Sequence, residues 1–219
     1  MQQLITATTH TLSDTIEYNN ETILTYKIEY PQFLSLVYLK AIQRMNNFYH
    51  DKAQTFKRYI YKTMYNQAVE QYHYSTENGY PIMVYDAEQV YNITYMTNRY
   101  ISLYTDEYTY TGGAHGTTVR TSDTWSLPRG HRVTLKSLFP SGFNYRSYII
   151  NMIIKDIERQ NASGDSVYFD DYKENVNNTF NENSFYLTPN GIVIYFQQYD
   201  IAPYSTGIPE FVIPYPRKI

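Results

Sequence analysis

The densest cluster of glycine in the chain surrounds a histidine, in the segment Gly112-Gly113-Ala114-His115-Gly116. Glycine takes positive φ without steric cost, so this segment can bend sharply and display the imidazole of His115 at the bend. Two interpretations remain open. In the first, Gly112, Gly113 and His115 contact a ligand or a partner. In the second, they form a tight turn in which His115 hydrogen-bonds neighbouring backbone.

A second segment, Tyr199–Gly207, follows an apolar run and combines aromatic rings with proline and glycine. Such a composition suits a rigid loop that presents side chains for binding. Under this interpretation Asp200, Pro203 and Tyr204 contact a partner. The alternative, which the sequence leaves equally open, is an ordinary crossover loop held by Asp200.

The chain lacks the sequence patterns by which common catalytic sites are recognised. It contains no serine-nucleophile elbow, phosphate-binding P-loop, zinc-protease helix motif or dinucleotide-binding glycine motif. It has no cysteine, and its five histidines are too scattered to pair at metal-ligand spacing. The adjacent acids Asp170 and Asp171 are more typical of a solvated loop than of a cation site. We therefore expect a protein that is not an enzyme, uses no cofactor and carries no stoichiometric zinc.

Composition limits the classes of partner. A formal net charge of −3 argues against nucleic acid. No stretch approaches the roughly 18 apolar residues of a membrane span, and no signal-peptide core follows Met1. The lack of cysteine and the 27 tyrosines suit an exported protein with a half-wet binding face, because tyrosine joins an apolar ring to a polar tip. Codon bias in an AT-rich genome is the alternative explanation.

The elements that must position these segments begin with a predicted β-hairpin of Leu4–Leu12 and Thr22–Tyr30, which Pro31 ends. Apolar side chains then recur at helical spacing from Phe33 to His73. This stripe predicts one long amphipathic helix, or two in line, that ends before Asn78-Gly79 and packs on an antiparallel sheet. Its apolar face comprises Leu34, Val37, Tyr38, Ala41, Ile42, Met45, Phe48, Tyr49, Phe56, Ile60, Met64 and Ala68.

The middle of the chain predicts strands joined by turns, followed by a second helix. Turn residues stand at Asn98-Arg99 and Pro128–Gly130, between β-rich runs. Asn144 is placed to cap a helix that continues to about Arg159, with Tyr148 among its inward residues. The polar segment Asn161–Asn183 predicts a loop with one helical turn in it.

The last segment predicts a hairpin of Phe185–Leu187 and Ile192–Phe196, whose second strand is apolar throughout and should lie at the centre of a sheet. Phe211–Tyr215 should form the final strand. The order of elements predicts an α+β fold, with antiparallel sheet or sheets packed against one long N-terminal helix and a second helix. We expect the Gly112–Gly116 turn and the Asp200–Gly207 loop to leave strands of one sheet.

Several short motifs resemble, in their order along the chain, those of one bacterial family. They are Tyr30-Pro31-Gln32-Phe33, Ile101-Ser102-Leu103, Tyr110-Thr111-Gly112-Gly113-Ala114-His115, Leu135-Lys136-Ser137-Leu138-Phe139, Phe185–Ile192 and Ala202-Pro203-Tyr204-Ser205-Thr206-Gly207. The family comprises the extracellular domain of RsiV-type anti-sigma factors and the non-catalytic N-terminal region of PdaC-type peptidoglycan deacetylases. Many members are known only as domains of unknown function. The likeness covers nearly the whole chain.

The resemblance implies a PdaC-like subdomain over residues 1–110 and an RsiV-like subdomain over residues 111–219, together forming one compact unit. It also implies an extracytoplasmic protein, exported or membrane-tethered, whose signal or membrane segment is absent from this sequence. RsiV-type members bind lysozyme, and this binding licenses release of a sigma factor. Deacetylase-type members are expected to sit on cell-wall glycan. The implied partner is therefore a c-type lysozyme or, alternatively, cell-wall glycan.

The chain departs from the family pattern at two places. Trp125 stands where the family often has a polar residue, and Arg129-Gly130-His131 stands where a Gly-Lys turn is usual. The catalytic motifs of the deacetylases, which need Asp and His zinc ligands, are not in the chain. The resemblance therefore implies binding without catalysis.

Overall fold

The computed structural model describes residues 5–164 and 167–216. It begins with two long antiparallel strands, β1 (Ile5–Tyr18) and β2 (Glu21–Ser35). Asn19 and Asn20 turn the chain between them with φ of 51° and 64°, which asparagine tolerates better than most residues. The hairpin predicted from the sequence is confirmed and is longer than expected, while Leu4 lies outside the described residues.

The sequence predicted that Pro31 ends the extended stretch, and this was wrong. Pro31 lies inside β2, opposite Thr9 of β1. On its other side β2 pairs with a third strand only from Leu24 to Ile28, so Pro31 lies beyond that pairing. Proline cannot donate to a ladder of hydrogen bonds, and it is tolerated where one side of the strand has no neighbour to receive a bond.

One continuous helical segment follows, made of α1 (Leu39–Tyr59), a π-helical turn (Ile60–Met64) and α2 (Tyr65–Asn78). It ends at Asn78, one residue later than predicted, and is followed by Gly79 with a φ of 69°. Its beginning was predicted wrongly, because Phe33 belongs to β2.

A contact distant in sequence explains the late start of the helix. The N–H of Phe33 donates to Oδ1 of Asn46 at 2.8 Å, and Nδ2 of Asn46 donates to the Phe33 carbonyl at 2.9 Å. The amide side chain thus replaces a neighbouring strand and keeps Phe33 extended, with its ring fully buried. Leu34, predicted to face the core, is instead 54% exposed in β2, and Tyr38 is 38% exposed just before the helix.

The helical segment is the crossover between two parallel strands. Its buried face packs on β2 and on β3 (Tyr85–Met96), and β2 pairs with β3 in parallel. Parallel neighbours need a long connection of this kind. The shared core contains Ile23, Leu24, Tyr26, Ile28, Ala53, Phe56, Ile60, Met64, Ala68, Tyr85 and Ala87.

Three further strands complete a six-stranded sheet: β4 (Tyr100–Tyr110), β5 (Thr117–Ser126) and β6 (His131–Arg132). The strands lie in the order in which they occur along the chain. The turns predicted at Asn98-Arg99 and Pro128–Gly130 both join neighbouring strands, which confirms them.

The second helix predicted from the sequence is α3 (Tyr145–Ala162). Its cap is confirmed, since Oδ1 of Asn144 accepts the N–H of Ser147 at 3.3 Å. Ile149, Ile153 and Ile157 are fully buried on its inner face, whereas Tyr148, which was expected there, is 36% exposed. The short helix α4 (Tyr172–Thr179) supplies the helical turn expected in the polar segment. Residues 165 and 166 of that segment lie outside the described part of the chain.

A separate three-stranded antiparallel sheet consists of β7 (Phe185–Thr188), β8 (Gly191–Tyr195) and β9 (Glu210–Ile213). Strand β8 lies between the other two and is buried along its whole length, so the predicted central strand is confirmed. A Cβ on Gly191 would lie 2.5 Å from the carbonyl oxygen of Ile213. The close approach of β9 therefore requires glycine there.

The fold is α+β, as predicted. The sheet under the long helix is mixed rather than antiparallel, because the helix itself connects the parallel strands β2 and β3. The chain divides into two units: one comprises the chain up to Tyr91 with Thr105–Thr118, and the other comprises Asn92–Tyr104 with everything from Val119 onward. We call them the first and second units. Within the described residues, no helix is long and apolar enough to cross a membrane.

Candidate functional site

The glycine turn of the first unit has the backbone that its sequence predicted. Gly112 and Gly113 have φ of 102° and 91°, values that side chains with a Cβ rarely adopt. A Cβ on Gly112 would also lie 2.4 Å from Sδ of Met83. The backbone angle is what requires glycine at Gly112, because the flexible side chain of Met83 can move aside from an added Cβ.

His115 lies exposed at the end of this turn, with Nδ1 3.0 Å from the carbonyl oxygen of Gly116. A carbonyl only accepts, so Nδ1 carries the hydrogen in this contact. The hydroxyl of Tyr110 donates to the carbonyl of Gly113 at 3.0 Å and closes the turn from its other side. These contacts support the tight-turn interpretation, and a role of Gly112, Gly113 and His115 in partner binding stays a prediction.

The loop after β8 belongs to the second unit and is anchored at its base. The N–H of Gln197 donates to the Asp200 carboxylate at 2.8 Å, and the Asp200 N–H returns a bond to the Gln197 carbonyl at 3.1 Å. Ile201 and Ala202 are buried in the core beneath. Asp200 therefore holds the loop, as the second interpretation of this segment expected, while Pro203 remains exposed above it.

Two tyrosines form the outer face of the same loop. Tyr199 is 56% exposed, and its ring centroid lies 6.0 Å from that of half-buried Tyr204, with the planes tilted by 35°. Tyr199 has a φ of 67°, an unfavourable left-handed backbone that its neighbours must hold in place. Thr206 adds a bond from its hydroxyl to the Val167 carbonyl at 3.1 Å. The loop therefore presents a fixed aromatic pair.

The two predicted segments do not leave strands of one sheet. The glycine turn follows β4 of the six-stranded sheet, whereas the Asp200–Gly207 loop follows β8 of the three-stranded sheet. The prediction was wrong because the pattern of apolar residues identifies strands without specifying which strands pair. The segments also fall in different units, so each is considered as a separate surface.

Arg120 is a supporting residue that the sequence did not reveal. Its guanidinium, 9% exposed, pairs with Glu210 of β9 and lies 3.7 Å from the centre of the Tyr104 ring. Its backbone is tied to the start of the loop. The Arg120 N–H donates to Oε1 of Gln197 at 3.0 Å, and Nε2 of Gln197 donates to the Arg120 carbonyl at 2.7 Å. Strand β5 thereby fixes the residue from which the loop departs.

A basic cleft of about 490 Å³ was also missed. It lies within the second unit, beside the turn that joins β3 to β4 and the turn that joins β5 to β6. Three arginines and a histidine line it. The lining residues are Arg99, Tyr100, Ser126, Pro128, Arg129, His131, Arg132, Val133, Thr134, Ser137 and Leu138. The only sequence indication was the departure from the family pattern at Arg129-Gly130-His131.

Among the described residues, no group of three or more His, Asp or Glu side chains could hold a metal ion. The loop Tyr199–Gly207 carries one carboxyl group, that of Asp200. Burial raises the pKa of its carboxyl above the ordinary value, although the N–H of Gln197 opposes this shift by binding the charged form.

We expect Asp200→Asn to keep the loop in place while removing a pH-dependent loss of stability. A carboxyl whose pKa is raised on folding favours the folded state below its unfolded pKa of about 4. This contribution disappears as the pH rises through the folded pKa. Asparagine still accepts the N–H of Gln197. The thermal midpoint of the variant, relative to that of the parent, should therefore rise as the pH increases from about 4 to about 7.

The control for this change is Asp170→Asn, because Asp170 is exposed in the same unit just before α4 and its loss removes one negative charge. Two results would contradict the raised pKa of Asp200. One is the same change of thermal midpoint with pH in both variants, and the other is a thermal midpoint of Asp200→Asn that falls relative to the parent as the pH rises toward 7.

Comparison with known proteins identifies relatives for both parts of the chain. Residues 16–118 match the family model described as deacetylase PdaC, and residues 136–216 match the model described as a protein of unknown function (DUF3298). The PdaC match thus extends through the glycine turn to the residue where the first unit ends. No curated protein matches the chain significantly.

Solved structures share the fold over nearly the whole chain. A DUF3298 family member from Bacteroides fragilis superposes with a TM-score of 0.72 at 18% identity, covering 96% of this chain and 90% of that chain. A DUF3298 family protein from Pseudomonas aeruginosa gives 0.61 at 14% identity, covering 96% and 92%. The chain is therefore similar to PdaC over residues 16–118 and to DUF3298 over residues 136–216, which confirms the family resemblance seen in its sequence.

Proposed function

We propose that this chain is a non-catalytic binding domain that acts outside the cytoplasm and contacts its partner through the loop Tyr199–Gly207. The observation that carries the proposal is the fixed pair of Tyr199 and Tyr204 on a loop anchored by buried Ile201 and Ala202. The DUF3298 and PdaC-type N-terminal regions are not known catalytic modules. Binding is therefore the activity that the surface supports best.

The physical advantage of this loop is its small entropic cost on binding. Tyrosine offers a large apolar area and a hydroxyl while having few rotatable bonds. Pro203 and the short 3₁₀ turn Tyr204–Thr206 restrict the backbone further. A partner that covers Tyr199 and Tyr204 therefore causes only a small loss of conformational entropy in the loop.

A c-type lysozyme is the first partner that we propose. The family resemblance leads to it, and the net charge of −3 favours encounter with a strongly basic enzyme to a modest extent. Cell-wall glycan is the second partner, because exposed tyrosine rings such as Tyr199 provide flat apolar faces on which sugar rings stack.

We expect Tyr204→Ala to weaken lysozyme binding by about thirtyfold, or about 2 kcal/mol, if the aromatic pair is the central anchor. Titration calorimetry of the parent and the variant with a c-type lysozyme measures this loss. Tyr74→Ala is a matched control, because Tyr74 and Tyr80 form a similar pair in the first unit, 5.9 Å apart and tilted by 34°. The control should bind as the parent does.

The outcomes separate the partner from the site. A parent chain that does not bind lysozyme at tens of micromolar excludes lysozyme and directs the test to co-sedimentation with insoluble peptidoglycan. Binding that Tyr204→Ala leaves unchanged keeps the partner but moves the contact away from this loop. Location is tested independently, by protease accessibility of the full gene product in intact cells.

A further inference from the structure

The basic cleft of the second unit has a built framework. Arg99 stands in the turn between β3 and β4, and Arg129 stands in the turn between β5 and β6. The N–H of Leu127 donates to the Arg99 carbonyl at 2.9 Å, which joins the two turns directly. Within the second turn the Gly130 N–H donates to the Ser126 carbonyl at 2.7 Å. The side chains of Arg99 and Arg129 therefore extend from backbone that hydrogen bonds already hold in place.

The charge of the cleft opposes that of the chain as a whole. Arg132 pairs at 3.0 Å with Asp123, a carboxylate that is only 5% exposed and is thus neutralised beneath the surface. Among the described residues, no carboxylate pairs with Arg99 or Arg129. None of the residues that line the cleft is acidic. Within residues 5–164 and 167–216, two guanidinium groups thus lack an ion-pair partner, although the net charge of the chain is −3. Like charges placed together in this way favour an anion between them.

The chemistry of the lining selects among anions. Guanidinium forks bind the oxygens of phosphate and carboxylate in pairs. A single fork saturates the two coplanar oxygens of a carboxylate, whereas two forks from separate turns suit the tetrahedral oxygens and higher charge of a phosphate. Beyond the arginines the wall carries hydroxyl groups of Ser126, Thr134 and Ser137, which suit a polar body attached to the anion. The volume of about 490 Å³ exceeds that of a phosphate group and leaves room for such a body.

We propose that the cleft formed by Arg99, Arg129, His131 and Arg132 binds the phosphate group of a phosphorylated sugar or polyol. The site shares no residue with the loop Tyr199–Gly207 and does not rest on the function proposed for that loop. Such a phosphate occurs either as a terminal monoester of a small molecule or as a diester within a polymer. Both present the same oxygens to the guanidinium groups.

Titration calorimetry of the purified chain at low ionic strength tests the proposal. The probes are inorganic phosphate, glycerol 3-phosphate as the monoester and glycerophosphoglycerol as the diester. We expect one site per chain for an ester, with a dissociation constant on the order of 1 mM, because hydrogen bonds in which the donor is charged are stronger than neutral ones and two guanidinium groups supply them together. The tighter of the two esters identifies the source of the phosphate.

Variants assign the binding to the cleft. Arg129→Gln and Arg99→Gln should each weaken binding of the tighter ester about tenfold or more, and the double variant should abolish it. The matched control is Arg159→Gln, which removes the same charge from a side chain that is 79% exposed on α3 and should change affinity less than about twofold. Thermal midpoints close to that of the parent would show that these surface changes leave the fold intact.

Three results would overturn the proposal. The first is a parent chain that shows no saturable binding of any phosphate probe at about 10 mM, a concentration about tenfold above the expected dissociation constant. The second is an equal loss of affinity in Arg159→Gln and Arg129→Gln, which would mean diffuse attraction. The third concerns glucuronate, titrated as a carboxylate probe beside the phosphate probes: tighter binding of glucuronate than of either ester would make the site one for carboxylates.

Discussion

The variant Ile194→Asp is expected to unfold the second unit. Ile194 is fully buried in the middle of β8, opposite Phe185 of β7 and Phe211 of β9. An aspartate there would bury a carboxylate among apolar groups with no cation or donor to receive it. Its burial costs several kcal/mol, which is a large part of the roughly 5–15 kcal/mol that stabilises an ordinary domain. Circular dichroism and thermal melting would report the loss.

A matched control lies on the neighbouring strand. Val212 of β9 is 53% exposed, so Val212→Asp introduces the same carboxylate in the same sheet but leaves it in water. Its effect on the free energy of unfolding should stay within about 0.5 kcal/mol. If Ile194→Asp melts as the parent does, or if the two variants lose equal stability, β8 is not the centre of the apolar core.

The sequence predicted those elements whose cause is local. Asn144 caps α3 because its own side chain reaches the backbone three residues later, and Gly79 ends α2 because only the residue at that position must adopt a positive φ. The apolar run of β8 is equally local, since a strand buried on both faces must be apolar at every position. Each of these features needs only a few consecutive residues to be recognised.

Features that depend on distant contacts were not predicted. The start of the long helix shifted because Asn46 holds the backbone of Phe33 from thirteen positions away. Helical spacing alone assigned Phe33 to the helix, since the ring is apolar and falls at a suitable interval. Likewise, nothing in the glycine turn or in the loop after β8 reveals that their strands belong to different sheets.

The same difference between local and distant contacts explains why the loop was predicted from the sequence and the cleft was not. Tyr204 and Pro203 could be named because composition marks a rigid loop without knowledge of its neighbours. The basic cleft could not, because Arg99 and Arg129 lie thirty positions apart and are brought together by pairing of the turns at Leu127. Arg120 gave no indication at all, since its partner Glu210 lies ninety positions away.

Arg120→Met is expected to destabilise the second unit by about 3 kcal/mol. Methionine preserves the apolar stem but loses the buried end of an ion pair and the contact of the guanidinium with the ring of Tyr104. Removing one partner of a buried pair costs about 3–5 kcal/mol, and the cation–π contact contributes about 1 kcal/mol. The expected loss lies below the sum of these contributions, because Glu210 is 40% exposed and water can replace part of its lost partner. Urea unfolding measures the loss.

The comparison that isolates burial is Arg159→Met, which breaks an ion pair with Asp156 on the surface of α3, where the arginine is 79% exposed. That variant should lose less than about 1 kcal/mol, because exposed pairs contribute little. A double-mutant cycle of Arg120→Met with Glu210→Gln then gives the coupling between the two side chains, expected at about 1 kcal/mol or more. The backbone of residue 120 also holds Gln197 at the base of the loop. Because Arg120→Met removes the side-chain anchor of that backbone to Glu210, the variant should increase amide hydrogen exchange in Tyr199–Gly207. Unchanged exchange in the loop, with the stability loss intact, would mean that Arg120 stabilises the sheet without positioning the binding surface.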